Sequence, residues 1–216
     1  MNALLFVSLS LFGQATLDDG SLVLLENCNY WVERYTNAPI GHVAVAINEN
    51  QQTWIYEATP GKVRRLSWND YRTELGQLNA DREQREKAAI VTWVLEPKTT
   101  LTKQQAAELK AYLDSQLDRR YSVRGIVRGK PSDGVHCAEL AAQALNTVGL
   151  TTIADCHRQS PAAVRDVALA FSEAPYRAAV DLPAAEESWC DRSWRRWSHW
   201  GTMCRWSCGE AWSFCW

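Results

Sequence analysis

The sequence lacks several features that mark particular classes of protein. Its most apolar stretch, residues 3–12, is only ten residues long, whereas a transmembrane helix needs about 20, so we expect no transmembrane segment. No charge dominates, because 23 basic and 25 acidic residues give a net charge of -2; nothing therefore favours a nucleic-acid partner. Histidine is scarce, with four residues in the chain, so few side chains can act as a base near neutral pH.

The N-terminal residues have the pattern of an export signal. A short apolar core at residues 3–12 is followed by "GQA", a small-x-small site that ends at residue 15. This pattern predicts a signal peptide over residues 1–15 and an exported protein, periplasmic or extracellular; the alternative is a buried first strand. With 46% hydrophobic residues, the remainder is large enough for one globular domain, which we expect over residues 16–183.

Residues 184–216 have a different composition from the rest of the chain. The last 28 residues, 189–216, hold seven of the eleven tryptophans and four of the seven cysteines. Three interpretations remain open: a disulfide-closed appendage, a Trp/Arg-rich strip for membrane interfaces or glycans, and a stretch translated outside its original frame, which the composition slightly favours. A zinc site from His199, Cys204 and Cys208 is disfavoured by its irregular spacing, and we expect no metal and no cofactor.

The domain mixes strand and helix patterns without strict alternation. Strands are predicted at 21–27, 41–48, 53–58 and 88–95, and helices at 28–36, 67–75, 101–117, 133–150 and 160–171. In the first helix, Trp31, Val32 and Tyr35 share one face. Thr102 with Gln105 predicts a capping box, and Ser67 and Ser160 are predicted N-caps. The order of these elements favours an α+β fold with an antiparallel sheet.

Cys137 is a candidate nucleophile at the start of the helix over 133–150. With Ser132 or Asp133 as N-cap, it falls in the first turn, where free N–H groups and the helix dipole favour a thiolate. It also lies on the apolar stripe of this helix, so a packed core cysteine is the alternative. The neighbouring His136 points about 100° away, so we do not expect it to be the base. The other six cysteines could pair in an exported protein: Cys28, Cys156, Cys190, Cys204, Cys208 and Cys215.

His42 is the candidate base, because it opens a predicted strand while the other two histidines fall in a polar loop and in the C-terminal segment. A two-residue turn at Glu49-Asn50 would place His42 directly opposite Glu57 on the next strand. The carboxylate would accept a hydrogen bond from one ring nitrogen and leave the other as a base. A turn of odd length would instead put Glu57 on the opposite face, as a solvated carboxylate.

Three motifs in this order resemble a known family. The motifs are "SLVLLENCNYWVERYTNAPIGHVAVAI", "YEATPGKVRRLSWNDY" and "HCAELAAQAL". They resemble the permuted papain-like cysteine hydrolases, in the YiiX-like branch of the NlpC-type cell-wall peptidases. The resemblance implies a small antiparallel sheet packed against the cysteine-bearing helix. It also implies that Cys137 is the nucleophile, His42 the base, Glu57 the orienting residue and Tyr121 a substrate-binding residue.

The implied activity is that of a thiol-dependent hydrolase, an amidase or peptidase that forms a thioester acyl-enzyme. Its substrate would be a peptide or acyl-amide, derived from the cell wall or from lipid. Two alternatives remain open: an acyltransferase or lipid esterase with the same three residues, and a non-catalytic binding module on the same fold.

Overall fold

The computed structural model describes residues 16–180, so the predicted signal peptide and the segment from 184 onwards lie outside the described residues. The strands are β1 (Leu22–Glu26), β2 (Ile40–Glu49), β3 (Gln52–Ala58), β4 (Val63–Ser67), β5 (Val91–Leu95) and β6 (Tyr176–Arg177). The helices are α1 (Tyr30–Thr36), α2 (Trp68–Glu83), α3 (Lys103–Gln116), α4 (Arg124–Arg128), α5 (Cys137–Thr147) and α6 (Pro161–Ala168). No helix in this part of the chain is long and apolar enough to cross a membrane.

The strands form one sheet in the order β4-β3-β2-β1-β5-β6, and every neighbouring pair is antiparallel. The predicted α+β class with an antiparallel sheet is therefore confirmed. The predicted caps of α2, α3 and α6 are confirmed as well, since each capping side chain accepts a hydrogen bond from the third residue of its helix.

Helices cover both faces of the sheet. Val43 and Val45 of β2 belong to a buried cluster with α3, α5 and α6. Ala44 and Ala46, which alternate with them, belong to a second cluster that includes α2. Both faces of β2 are therefore core: the branched side chains face α3, α5 and α6, and the alanines are buried because α2 packs on them.

Helix α1 does not pack its shared aromatic face against the core. The helix is present, but none of its residues is buried, and Trp31 and Tyr35 are exposed. Its N-cap is Asn29, whose side chain accepts a hydrogen bond from the Val32 N–H. The aromatic side chains of α1 therefore face solvent and do not contribute to the core.

Candidate active site

Cys137 is the first residue of α5 and is only 5% exposed. The N-cap is His136, whose ring Nδ1 accepts a hydrogen bond from the Glu139 N–H at 3.3 Å. The other ring nitrogen, Nε2, donates to the His157 carbonyl oxygen at 3.0 Å. A neutral imidazole with its proton on Nε2 satisfies both contacts. His136 thus fixes the first turn of the helix that carries the cysteine.

The predicted helix start at Ser132 or Asp133 is wrong, because the segment before the cysteine is extended. Backbone hydrogen bonds of 2.9 and 3.1 Å join Val135 to residues 120–122. A Cβ on Gly134 would lie 2.4 Å from a side-chain carbon of the same segment, so only glycine allows this close approach. Because Val135 pairs with residues 120–122, Ser132 and Asp133 cannot cap the helix. Cys137 is therefore closer to the N-terminus of the helix than predicted.

The hairpin that carries the imidazole and the carboxylate has a different register from the predicted one. Its two-residue turn is Asn50-Gln51, with φ of 53° and 64°, the left-handed conformation of a type I′ turn. Tyr56 pairs with Val45, so His42 and Glu57 are diagonal neighbours rather than directly opposite. The shift amounts to two residues, which keeps both side chains on the same face of the sheet.

His42 and Glu57 are nevertheless hydrogen-bonded, as predicted. The Nε2 of His42 lies 2.8 Å from Oε2 of Glu57. The other carboxylate oxygen of Glu57 accepts a hydrogen bond of 2.7 Å from Nε of Arg64, and Arg64 also makes two hydrogen bonds to Glu74, of 3.1 and 2.7 Å. The carboxylate is thus held from both sides, and Nδ1 of His42 is left for another partner.

Electrostatics favour a charged pair of thiolate and imidazolium. Burial opposes ionisation of Cys137, but the charge of His42 and hydrogen bonding with His136 and His42 lower its pKa to about 6. Burial likewise disfavours the charged form of His42, yet Cys137 and Glu57 raise its pKa to about 10. The pKa of Glu57 is lowered despite its burial, because His42 and Arg64 stabilise its charge.

Three further residues were singled out from the sequence. Tyr121 is buried and pairs with Val135 in an isolated bridge, two residues before Cys137; a role in substrate binding stays a prediction. Cys28 and Cys156 are free thiols, and burial raises the pKa of each. Among the three cysteines of residues 16–180, Cys137 is therefore the one whose pKa is lowered.

Arg64 and His136 are the residues that the sequence patterns did not reveal. The β3–β4 pairing places Arg64 directly opposite Glu57, and the turn signal "TPGK" at residues 59–62 would have predicted this pairing. His136 was set aside because neighbouring side chains on a helix point apart. It lies in the cap position instead, where its extended backbone (φ -105°, ψ 169°) turns the ring back towards the first turn.

The described residues thus define an α+β protein with one antiparallel sheet, an imidazole–carboxylate pair on that sheet and a cysteine at the adjacent helix start. Among solved structures, the chain is similar to YiiX from Escherichia coli O157:H7, described as a metalloprotein, with a TM-score of 0.52 and 14% identity. The match covers 78% of this chain and 99% of the YiiX chain. No protein-family model matches the sequence, and no curated protein matches it significantly.

This likeness supports the YiiX-like part of the predicted resemblance at the level of the fold. The finer prediction, a circularly permuted papain-like enzyme, depends on the chemistry of the site. Within residues 16–180, no three His, Cys, Asp or Glu side chains are grouped so that they could hold a metal ion.

Proposed function

We propose that this chain is a thiol-dependent hydrolase of the permuted papain-like type, cleaving an amide or ester bond through a thioester on Cys137. The observation that carries the proposal is the 2.8 Å hydrogen bond between His42 and Glu57, on a sheet that packs against the helix starting at Cys137. This arrangement supplies a nucleophile, a base and a residue that orients the base.

The reaction follows from the atoms present. Nδ1 of His42 takes the thiol proton of Cys137, while Glu57 holds Nε2 and stabilises the resulting imidazolium. The thiolate attacks the substrate carbonyl, and the oxyanion accepts hydrogen bonds from N–H groups that have no partner within the helix at the start of α5. The imidazolium then protonates the leaving amine or alkoxide, and a thioester forms. His42 next deprotonates water, which attacks the thioester and releases the acid and the thiol.

No step of the proposed reaction uses a metal, although YiiX is described as a metalloprotein. The imidazole and carboxylate that could serve as ligands bond each other through Nε2 and Oε2, so these atoms are not turned towards a shared ion. The grouping of donors in residues 16–180 therefore does not fit a metal centre.

A direct test is to trap the acyl-enzyme. The full chain is incubated with an activated peptide ester and the adduct is located by mass mapping. We expect one acyl group on Cys137, no adduct in Cys137→Ala, and adduct formation slower by about 100-fold or more in His42→Ala. Cys156→Ala is the matched control and should react like the wild type. Acyl groups spread over several cysteines would refute the proposal.

The same experiment separates hydrolysis from acyl transfer. Adding an amine acceptor at low concentration leaves the product unchanged if water is the natural acceptor, and it diverts the acyl group if the protein is an acyltransferase. Peptidoglycan fragments and acyl lipids are then compared as donors, since the residues of the site do not choose between them.

A further inference from the structure

Helix α1 carries an exposed aromatic surface that the proposed reaction does not use. Among residues 16–180, the three most exposed large apolar side chains are Trp31 (76%), Tyr35 (68%) and Tyr30 (63%). The rings of Tyr30 and Trp31 meet edge to face, with centroids 5.6 Å apart, and Trp31 and Tyr35 are neighbours one turn apart. Contiguous exposed apolar surfaces of this kind mark interaction sites. We call these three residues the aromatic surface.

A positive charge lies beside the aromatic surface. Tyr30 and Arg34 line a shallow cavity of about 690 Å³ together with Glu33, Asn37, Ala38 and Pro39. Glu33 is engaged elsewhere, since its carboxylate accepts a hydrogen bond from the Asn29 N–H at 3.1 Å. Within residues 16–180 Arg34 forms no ion pair. Its charge is therefore available to an anionic group in the cavity.

The size and chemistry of the aromatic surface fit a lipid surface better than a folded protein. Three aromatic side chains offer roughly 500 Å², short of the about 800 Å² that each partner contributes to a stable protein interface. Tyrosine and tryptophan are enriched at the headgroup level of membranes, where a ring can be buried while its polar atom stays in water. A nearby arginine adds attraction to anionic headgroups.

The position of α1 connects this surface to the candidate active site and to the rest of the chain. Pro39, in the cavity wall, precedes His42 by three residues, about 10 Å along an extended strand. Val180, the last described residue, packs against the same buried cluster as Cys28, which precedes α1.

We propose that the aromatic surface of α1, with Arg34, docks the protein on a membrane that contains anionic lipid. Because α1 packs beside β2, docking through α1 brings the start of β2, which carries His42, close to the lipid headgroups. The proposal goes beyond the proposed reaction and does not depend on it, since binding to lipid can be measured without turnover.

The test is co-sedimentation of the full chain with vesicles of phosphatidylcholine, with and without a quarter of phosphatidylglycerol. The Trp31→Ala/Tyr35→Ala double variant should lower binding to both vesicles by about tenfold or more. Arg34→Gln should lower binding to the anionic vesicles by about fivefold and leave binding to neutral ones unchanged. The matched control, Val127→Ala/Leu169→Ala, removes exposed apolar side chains elsewhere and should bind like the wild type.

Three results would overturn the proposal. The wild type could stay in the supernatant with both vesicles. The double variant could bind as well as the wild type, which would place the lipid contact in another part of the chain. Finally, Arg34→Gln could leave vesicle binding unchanged but raise KM for a soluble anionic peptide, which would make the cavity a substrate site. The alkylation rate of Cys137 is measured on the same variants, so a failure of lipid binding is distinguished from a failure of the proposed chemistry.

Discussion

Alkylation by iodoacetamide at pH 6 offers the sharpest test of the electrostatics at Cys137. Burial resists its ionisation, but His42 and His136 lower its pKa from the ordinary 9.0 to about 6. At pH 6 about half of the Cys137 side chains are then thiolate, compared with about one in a thousand for an ordinary thiol. The thiolate fraction is therefore about 500-fold larger.

The alkylation rate increases by less than the thiolate fraction does, because a less basic thiolate is a weaker nucleophile. With a Brønsted slope of about 0.4–0.5, a drop of three in pKa lowers the intrinsic reactivity by about 15- to 30-fold. Cys137 should therefore react about 15 to 30 times faster than an ordinary thiol at pH 6, and this excess should shrink as the pH rises and the ordinary thiol ionises.

Cys28 and Cys156 are internal controls in the same sample. Their pKa values are raised by burial, so both should react more slowly than an ordinary thiol. Rates are obtained for each cysteine by mass mapping at a series of pH values. His42→Ala should move the midpoint of the Cys137 profile upwards, since burial remains while the main stabilising charge is lost. Equal midpoints in the wild type and His42→Ala would refute the reasoning.

Four further predictions concern other parts of the site and fold. Arg64→Gln removes one of the two cations that hold the buried carboxylate of Glu57 and should lower the free energy of unfolding by about 1–3 kcal/mol in urea titrations; Arg64→Lys should lose less, and equal losses would contradict a role for the several hydrogen bonds that the guanidinium donates. His136→Ala removes a helix cap and should cost about 1 kcal/mol, whereas His136→Asn keeps an acceptor and should cost less. Gln51→Gly should raise the melting temperature, because φ of 64° costs a non-glycine residue about 1 kcal/mol; an unchanged or lower value would contradict this turn conformation. Turnover should increase as the pH rises through about 6, where the thiol ionises, and decrease near 10, where the imidazolium loses its proton; an activity maximum outside this range would exclude the charged pair.

Local patterns were sufficient to predict most of the elements, because strands and capped helices depend on neighbouring residues. Four of the six strands, the caps of α2, α3 and α6 and the antiparallel sheet appear where alternation and capping signals place them, whereas β4, β6 and α4 were not predicted. The contact between His42 and Glu57 was predicted from a wrong turn. The prediction held because an error of two residues does not change the face of a strand, and both side chains are long enough to meet diagonally.

The details that failed depend on contacts between distant segments. The start of α5 is set by pairing of Val135 with residues 120–122, which no capping rule takes into account. The sequence predicted that Trp31 and Tyr35 share a face of α1, but not whether that face is buried. Here the sheet is already covered by α2 on one face and by α3, α5 and α6 on the other, so no apolar surface remains for Trp31 and Tyr35.

The separation of His42 and Cys137, some 95 residues apart in sequence, has a consequence for the newly made chain. Only the folded arrangement of β2 and α5 brings the charge of His42 to the thiol, where it lowers the pKa of Cys137. Until then, Cys137 has the pKa of an ordinary thiol and is little ionised at neutral pH. During synthesis, oxidants and electrophiles therefore react with Cys137 no faster than with other cysteines. Partial unfolding returns Cys137 to an ordinary thiol, so its alkylation rate at pH 6 reports whether β2 and α5 are packed together.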